Sequence, residues 1–339
     1  MRSLLLVAGL IALVGVVAVA ALGVAVSAPV EEWLAFSSVR SGNRDIWIAR
    51  ADGTGLRNVT NNPAFDDRPC WSPDGKRIAF VSDRTGNDEV FVMPVEGGPA
   101  KNLSNSPATD TDPAWSPDGR LIVFTSERTG NAELFVVPPD GGTPQNITNH
   151  PEWDGPGNWC PVAPWITFVS NRMGNQDIFV VAPDGTQLRQ LTGHEAYDSV
   201  PAWSADGHYI AFFSHRTGNV DIFVIDMQTG EYLNVNNSPE WDADPAFSAD
   251  GLWLAFASHR SGNDEIFVWA LDGSQVTNLT NDPADDRQPV WSPSGQYIAF
   301  TSNRNGGDYD IFVMGADGSN PVDVSNAPGE DRAHVWRPR

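Results

Sequence analysis

Residues 66–93 read DDRPCWSPDGKRIAFVSDRTGNDEVFVM, and this stretch decides the fold because its parts recur along the chain. The segment Trp-Ser-Pro-Asp-Gly at its centre returns, intact or degenerate, every 44 residues. The copies begin at Trp71, Trp115, Trp159, Trp203, Phe247 and Trp291, and a last copy stands 45 residues later at Trp336. A fixed period of this length indicates a repeat architecture, in which each unit packs on its neighbours.

A second marker, Ser-x-Arg-x-Gly-Asn, keeps the same period. Its arginines are Arg40, Arg84, Arg128, Arg172, Arg216, Arg260 and Arg304. The seventh copy has Gly307 in place of Asn and gains one residue. Each copy is followed by an acidic residue and an apolar pair, and the repeat as a whole covers residues 33–337.

The pattern within one unit predicts four short strands. They span residues 69–72, 77–81, 89–93 and 101–104, and turn-forming glycines at Gly75, Gly86 and Gly97 separate them. Four strands in a unit of about 40–50 residues are typical of a β-propeller blade. A solenoid β-helix is the alternative, but its repeats are shorter.

The ends of the repeat predict how the ring closes. The first unit begins at Trp33, which aligns with the second strand of the other units, and the chain ends with a lone first strand around Trp336. If this last strand pairs into the first unit, every blade has four strands. The sequence therefore predicts an all-β, seven-bladed propeller of antiparallel blades, closed by its C-terminal strand.

The blocks PAWSPDG ending at Gly119, IAFVSDR ending at Arg84, GNDEVF ending at Phe91 and LTN ending at Asn281 resemble the WD40-like PD40 repeats of TolB-type propellers. The resemblance covers the whole repeat region and implies a TolB-like propeller. Two departures separate the chain from TolB itself. Nothing in these residues corresponds to the N-terminal α/β domain of TolB, and seven repeats stand here where TolB has six.

The charge of the chain limits the classes of partner that it can bind. The formal net charge is -22, which argues against a nucleic-acid partner because phosphate binding needs a basic surface. The same charge weighs against docking on anionic lipid. The two cysteines, Cys70 and Cys160, lie in repeats that are not adjacent, so we expect packed thiols and no disulfide between them.

The first 28 residues are predicted to be a separate membrane-targeting segment, with the propeller over residues 29–339. Residues 4–26 carry no charge, and 23 apolar residues can span a bilayer, which needs about 20. A cleaved secretory signal is the competing interpretation, with a cleavage site before Ala28. Both predict an extracytoplasmic propeller, in the periplasm, at the cell surface or secreted, whose only membrane contact is the N-terminal segment.

A carboxylate stands five residues before the Trp or Phe that begins each copy of the first marker. We call this set the ring carboxylates, and its members are Asp66, Asp110, Asp154, Asp198, Asp242, Asp286 and Asp331. These residues are expected at the start of the innermost strands, at the mouth of the central channel or just beneath it. They lie on the same face as the marker arginines and the longer loops between units, which we call the loop face. Convergent carboxylates suit Ca²⁺, so a cation contact is one hypothesis. The other is structural, since each Asp can accept hydrogen bonds from an Arg in its own blade.

Residues that break the repeat are better candidates for a binding site. Trp153, Tyr197 and Trp241 each precede one of these seven aspartates in consecutive blades, and His215 and His259 each precede a marker arginine. Such an arc suits stacking on sugar rings or anchoring of a peptide. Packing of the rings between blades is the alternative, as it is for the marker tryptophans.

Motifs of catalysis are missing from the sequence: there is no Gly-x-Ser-x-Gly, His-Glu-x-x-His or Cys-x-x-Cys. The carboxylate sets that the sequence reveals all repeat. We therefore expect a non-catalytic, monomeric propeller without a cofactor that binds a protein or glycan partner on its loop face. A hydrolase or lyase with its site at the channel mouth is one alternative, and a Ca²⁺-binding propeller is another.

Overall fold

A computed structural model describes residues 31–235 and 238–339 of the chain. The predicted targeting segment, residues 1–28, lies outside the described residues. Within the described part, no helix is long and apolar enough to cross a membrane. The regular structure there consists of 28 strands in seven antiparallel sheets of four, which confirms the predicted all-β propeller.

Each sheet is one blade, and its four strands occupy equivalent positions. The innermost strands are β4 (Asp66–Trp71), β8 (Asp110–Trp115), β12 (Asn158–Trp159), β16 (Asp198–Trp203), β20 (Asp242–Phe247), β24 (Asp286–Trp291) and β28 (Asp331–Trp336). The second strands are β1 (Trp33–Ser38), β5 (Arg77–Ser82), β9 (Ile122–Ser126), β13 (Ile166–Ser170), β17 (Tyr209–Ser214), β21 (Trp253–Ser258) and β25 (Tyr297–Ser302). The third strands are β2 (Asp45–Arg50), β6 (Glu89–Pro94), β10 (Glu133–Val137), β14 (Asp177–Val181), β18 (Asp221–Asp226), β22 (Glu265–Ala270) and β26 (Asp310–Gly315). The outer strands are β3 (Arg57–Asn58), β7 (Lys101–Asn102), β11 (Gln145–Asn146), β15 (Arg189–Gln190), β19 (Tyr232–Asn234), β23 (Val276–Asn278) and β27 (Val322–Asp323).

Blade 1 contains both ends of the repeat region, in the order β28-β1-β2-β3, and blades 2 to 7 follow along the chain. Strand β28 pairs antiparallel with β1, so that Leu34 lies opposite Trp336 and Ser38 opposite Asp331. The predicted closure by the C-terminal strand is confirmed. It follows from the offset of the repeat, because a chain that starts at the second strand must supply the first one from its other end.

The inner and outer strands differ from the predicted bounds. In blade 2 the inner strand begins at Asp66, three residues before the predicted start, and a bulge interrupts its pairing between Asp67 and Cys70. The residues before the bulge are polar, so the hydrophobic pattern did not indicate that they belong to the strand. The outer strand is only Lys101–Asn102, because the hydroxyl of Ser104 then accepts the backbone N–H of Val90 in place of a carbonyl.

The core lies between neighbouring blades rather than inside one sheet. One cluster joins Ala79 and Val90 of blade 2 to Trp115, Ile122 and Phe124 of blade 3, all of them buried. Side chains alternate across each strand, so both faces of every blade are apolar and must be covered. A closed ring covers all of them, because every blade then has two neighbours.

Four of the six marker tryptophans add a hydrogen bond between neighbouring blades. The indole N–H of Trp71 donates to the carbonyl of Val335, at 3.2 Å, and that of Trp159 donates to Ala114, at 3.0 Å. Their rings are buried, as predicted for the marker positions. Cys70 and Cys160 are free thiols, and burial raises the pKa of Cys70 to about 11.

The closing strand contains a buried histidine where five other blades have proline. His334 Nε2 donates to the carbonyl of Gln288, at 2.8 Å, and its Nδ1 has no hydrogen-bond partner. Burial lowers the pKa of His334 to about 4, although contacts with the backbone of Gln288 and Ala299 oppose the shift. The folded protein thus holds this ring neutral under conditions that protonate it in the unfolded chain.

We predict that His334→Pro makes stability less sensitive to acid. The unfolded-state pKa of histidine is near 6.5, so the unfolded chain binds more protons between that pH and about 4. The wild type should therefore lose roughly 1–2 kcal/mol more than the variant when the pH falls from 7 to 5. Urea unfolding of both proteins at each pH measures the difference. Parallel losses in the two proteins would contradict the prediction.

Blade 7 contains a second buried irregularity. In blade 2 the Asn102 amide donates to the carboxylate of Glu89. In blade 7 the equivalent positions hold two carboxylates, Asp323 and Asp310, which share the amide of Asn305. Burial, and next the charge of Asp323, raise the pKa of Asp310 to about 6.

Asp323→Asn should stabilise the protein by about 1 kcal/mol at pH 7, because it converts a carboxylate repulsion into a hydrogen bond to a charged group. The raised pKa of Asp310 means that the folded state binds the extra proton between about pH 4 and 6. The gain of the variant should therefore shrink as the pH falls through that window. Asp317→Asn, on an exposed turn of the same blade, is the control and should change little.

Candidate functional site

The seven ring carboxylates and the seven marker arginines pair within their own blades. The Asp–Arg distances run from 2.8 to 3.1 Å, and each Asp side chain is at most 1% exposed. In blade 4, Arg172 Nε also donates to the Ser170 hydroxyl, and its guanidinium lies 5.2 and 5.0 Å from the ring centroids of Phe168 and Phe179. Each arginine is thus held by a carboxylate, a hydroxyl and two aromatic faces.

The rest of the second marker fixes the loop beside this pair. Gly86 has a φ of 109°, which is readily accessible only to glycine, and its equivalents are alike. The Asn87 amide then donates to the carbonyls of Ser106 and Ala108 in the loop that leads to blade 3. The repeating polar residues of the loop face therefore hold the backbone through these bonds.

Two of the predicted aromatics lie exposed on the loop face. The side chains of Trp153 and Tyr197 are 37% and 55% exposed. The ring of Trp153 lies across Gly155, where a Cβ would come within 2.1 Å of it, so glycine is needed there. Tyr197 makes an edge contact with His215, at 6.1 Å between centroids, because their backbones bond across the blade.

Trp153 also reaches the mouth of the central channel. It lines a cavity of about 510 Å³ together with Val200, which is 44% exposed, and with Arg68 of blade 2 and Asp112 of blade 3. Arg68 and Asp112 form an ion pair. The mouth is therefore charged toward blades 2 and 3 and apolar toward blades 4 and 5.

The third aromatic, Trp241, belongs to a different pocket. Trp241 and His259 line a cavity of about 440 Å³ with Asp244, Asp264, Arg287 and Gln288. His259 Nδ1 lies 2.9 Å from one oxygen of Asp264, and Arg287 Nε donates to the other. The Asp264 side chain is only 7% exposed, so a buried carboxylate orients both groups.

This cluster corrects one expectation, namely that only repeating carboxylate sets reach the loop face. Asp264 and Arg287 occupy positions that are Val220 and Ala243 one blade earlier. They meet because the N–H of Asp286 bonds to the carbonyl of Asp264, which sets the turn of blade 6 against the inner strand of blade 7. Charges of opposite sign 23 residues apart were the available signal.

The sequence pattern did not single out a further set of residues, because the bulge in the inner strands determines their conformation. These residues share a φ of 52–54° and line the cavities around the axis, and they are Arg68, Asp112, Val200, Asp244, Gln288 and Ala333. A β-branched residue such as Val200 adopts this conformation only under strain. Burial raises the pKa of Asp244, while the Gln288 backbone N–H and the charge of Arg287 oppose the rise.

Among the described residues, no group of three or more His, Cys, Asp or Glu side chains is placed to hold a metal ion. The ring carboxylates, on which the cation hypothesis rested, lie in separate blades, each beside its own arginine. Their chemistry is that of buried ion pairs.

Comparison with known families identifies the repeat. The family PD40, described as the TolB beta propeller domain, matches residues 24–109, 84–162, 100–210, 145–251 and 199–339. The chain belongs to the PD40 family. This agrees with the resemblance carried by the repeated blocks. Among curated proteins, none matches this PD40 chain.

Solved structures share the propeller fold of this PD40 chain at low identity. TolB from Acinetobacter baumannii aligns at 21% identity over 91% of this chain and 67% of its own, with a TM-score of 0.58. A puromycin-hydrolyzing peptidase from Mycobacterium tuberculosis aligns at 14% identity over 86% and 53%, with a TM-score of 0.71. An oligogalacturonate lyase from Vibrio parahaemolyticus aligns at 14% over 86% and 85%, with a TM-score of 0.65. At these identities the likeness establishes the fold alone.

The buried Asp–Arg pairs of the PD40 blades yield a stability prediction. Arg172→Met leaves Asp154 charged and uncompensated in the interior, so it should destabilise the protein by about 3–5 kcal/mol. Combining it with Asp154→Asn should recover much of that loss, because the unpaired charge is then gone. Urea unfolding at pH 7 measures both effects.

The control for this prediction is Arg120→Met, because Arg120 and Asp118 form an exposed pair 3.7 Å apart. That variant should cost less than about 1 kcal/mol. Equal losses in Arg172→Met and Arg120→Met would show that the buried pairs contribute no more than surface charges.

Proposed function

We propose that the chain is a non-catalytic, extracytoplasmic propeller that binds a protein or glycan partner on its loop face. The observation that carries the proposal is the exposure of Trp153 and Tyr197 beside Val200 at the apolar side of the channel mouth. Large aromatics that stay exposed on a rigid scaffold provide contact area with little loss of side-chain entropy on binding.

The rigidity of the scaffold supports this proposal. The backbone on either side of Trp153 and Tyr197 is held by the repeated Asn, Ser and Arg contacts, which make the loop face preformed. A preformed surface avoids the entropy of ordering a loop when the partner binds. The partner is expected to present an apolar or ring-shaped group to blades 4 and 5, and polar groups to Arg68 and Asp112.

The proposal includes export. Residues 1–28 are proposed to be a signal or membrane anchor, with the hydrophobic run at residues 4–26, and the propeller is then periplasmic, at the cell surface or secreted. The net charge of -22 supports a partner that is neither nucleic acid nor anionic lipid. We propose a monomer, because the loop face of one propeller contains the whole proposed binding surface.

A hydrolase or lyase is the second candidate, and one observation favours it. In His259 and Asp264 a buried carboxylate orients an imidazole, as in general-base catalysis. None of the six side chains that line this pocket is Ser, Thr, Cys or Lys, so His259 would have to act on water or on a substrate proton.

Site-specific photocrosslinking in cells of the source organism tests the binding proposal. With p-benzoylphenylalanine at position 197 we expect a discrete adduct, and Trp153→Ala in the same chain should reduce it at least tenfold because the anchor beside it is lost. The matched control places the crosslinker at position 232, where an exposed tyrosine lies on an outer strand.

Identical adducts from positions 197 and 232, or an adduct that survives Trp153→Ala, would refute binding at the channel mouth. Mass spectrometry of the adduct identifies a protein or glycan partner. Steady release of a cleaved product from that partner, lost in His259→Ala, would instead support the catalytic candidate.

A further inference from the structure

From the pocket between blades 6 and 7, which Trp241, Asp244, His259, Asp264, Arg287 and Gln288 line, we infer that it is a binding site for a neutral sugar ring. The inference deepens the proposed function and rests on it, since it selects a glycan as the ligand of one part of the loop face. It separates this pocket from the channel mouth around Trp153, which has a different lining.

The first step is the size and shape of the site. A cavity of about 440 Å³ lies within the range of small-molecule pockets, about 300–1,000 Å³. One side chain in it, Trp241, is a large flat apolar surface, and the remaining five are polar. This composition suits a ligand with one apolar face and a polar rim, which is the shape of a pyranose ring.

The second step is the balance of donors and acceptors. Asp264 can only accept, so Nδ1 of His259 carries the proton of this contact, and Nε2 is left as an acceptor whenever the ring is neutral. Asp244 adds a carboxylate acceptor. Arg287 uses Nε for Asp264, and its Nη2 lies 3.7 Å from Asp285. The remaining N–H donors belong to a side chain that is 43% exposed, and Gln288 is exposed as well.

This mixture decides the class of ligand. A hydroxyl both donates and accepts, so neighbouring hydroxyls of one ring can use the donors and the acceptors together. An anionic ligand would meet two carboxylates, Asp244 and Asp264, and an organic cation would meet Arg287. A neutral polyhydroxylated ring satisfies every group without placing like charges together.

The third step is preorganisation. Asp264 is 7% exposed and holds His259 through one oxygen and Arg287 through the other, so both ligand-facing groups are oriented before binding. The backbone N–H of His259 also bonds to the carbonyl of Trp241, at 2.9 Å, which keeps the stacking surface beside the imidazole. Oriented donors and acceptors reduce the entropy lost on binding.

The test measures binding of defined sugars to the full-length chain by saturation-transfer difference NMR. The probes are methyl α-glucoside, methyl β-galactoside and N-acetylglucosamine, with galacturonic acid and glucosamine as charged counterparts. We expect saturable binding of at least one neutral probe, and at least tenfold weaker binding of its charged counterpart.

Variants locate the site. Trp241→Ala should weaken binding of the neutral probe at least tenfold, and Asp244→Asn, which keeps the side-chain volume, should weaken it severalfold. Trp253→Ala is the matched control, because Trp253 is a half-buried tryptophan of the same blade that lines a cavity on the opposite face. Binding should survive Trp253→Ala.

The outcomes separate this inference from the proposed function. Preference for a charged probe, or binding that survives both Trp241→Ala and Asp244→Asn, overturns the sugar site. Absence of any neutral binding also overturns it, while a Trp153-dependent crosslink from position 197 would still support the proposed function. If neither that crosslink nor sugar binding occurs, both fail.

Discussion

Every blade of this propeller depends on one buried ion pair. The carboxylate at the start of the inner strand is buried, and it pairs with the arginine of the turn between the second and third strands, as Asp154 does with Arg172. Because a buried charge is costly unless it is paired and hydrogen-bonded, the turn cannot move away from the inner strand. The two aromatic rings that flank the guanidinium extend the same constraint to the middle of the sheet.

This constraint explains where variation is tolerated. The repeated Asp, Arg, Ser, Gly and Asn of each blade are engaged in holding the loop face, so changing one would release a buried charge or a turn. The residues next to them in the sequence are not part of these repeated contacts. Trp241 precedes a ring carboxylate, Arg287 follows one, and Asp264 follows a marker asparagine. A specific site can therefore arise through changes at the positions next to the repeated residues, while the repeated residues themselves stay the same.

The sequence alone predicts most of the fold, because the fold is set by features that repeat. The period of 44 residues yields the blades, and the offset between Trp33 and Trp336 yields the closure. The site is less accessible because it depends on contacts between blades. Asp264 and Arg287 meet through a backbone bond from Asp286 that no local pattern reveals. The bulge was not predictable from the sequence either. Its residues of positive φ line the cavities around the axis whether their side chains are polar or apolar.

Departures from the repeat are of two kinds, and burial separates them. In the strand that closes the ring, His334 is buried with one nitrogen unpartnered, and in blade 7 Asp323 sets a second carboxylate beside the buried Asp310. Each replaces a residue that costs less in the other blades, so neither improves stability. On the loop face, by contrast, Trp153, Tyr197 and His259 are exposed. A buried departure such as His334 leaves a polar group without a partner, whereas an exposed departure beside satisfied partners indicates where a ligand can bind. The pocket around Trp241 meets the second criterion, because its one buried carboxylate, Asp264, has both oxygens bonded and the groups it orients remain accessible.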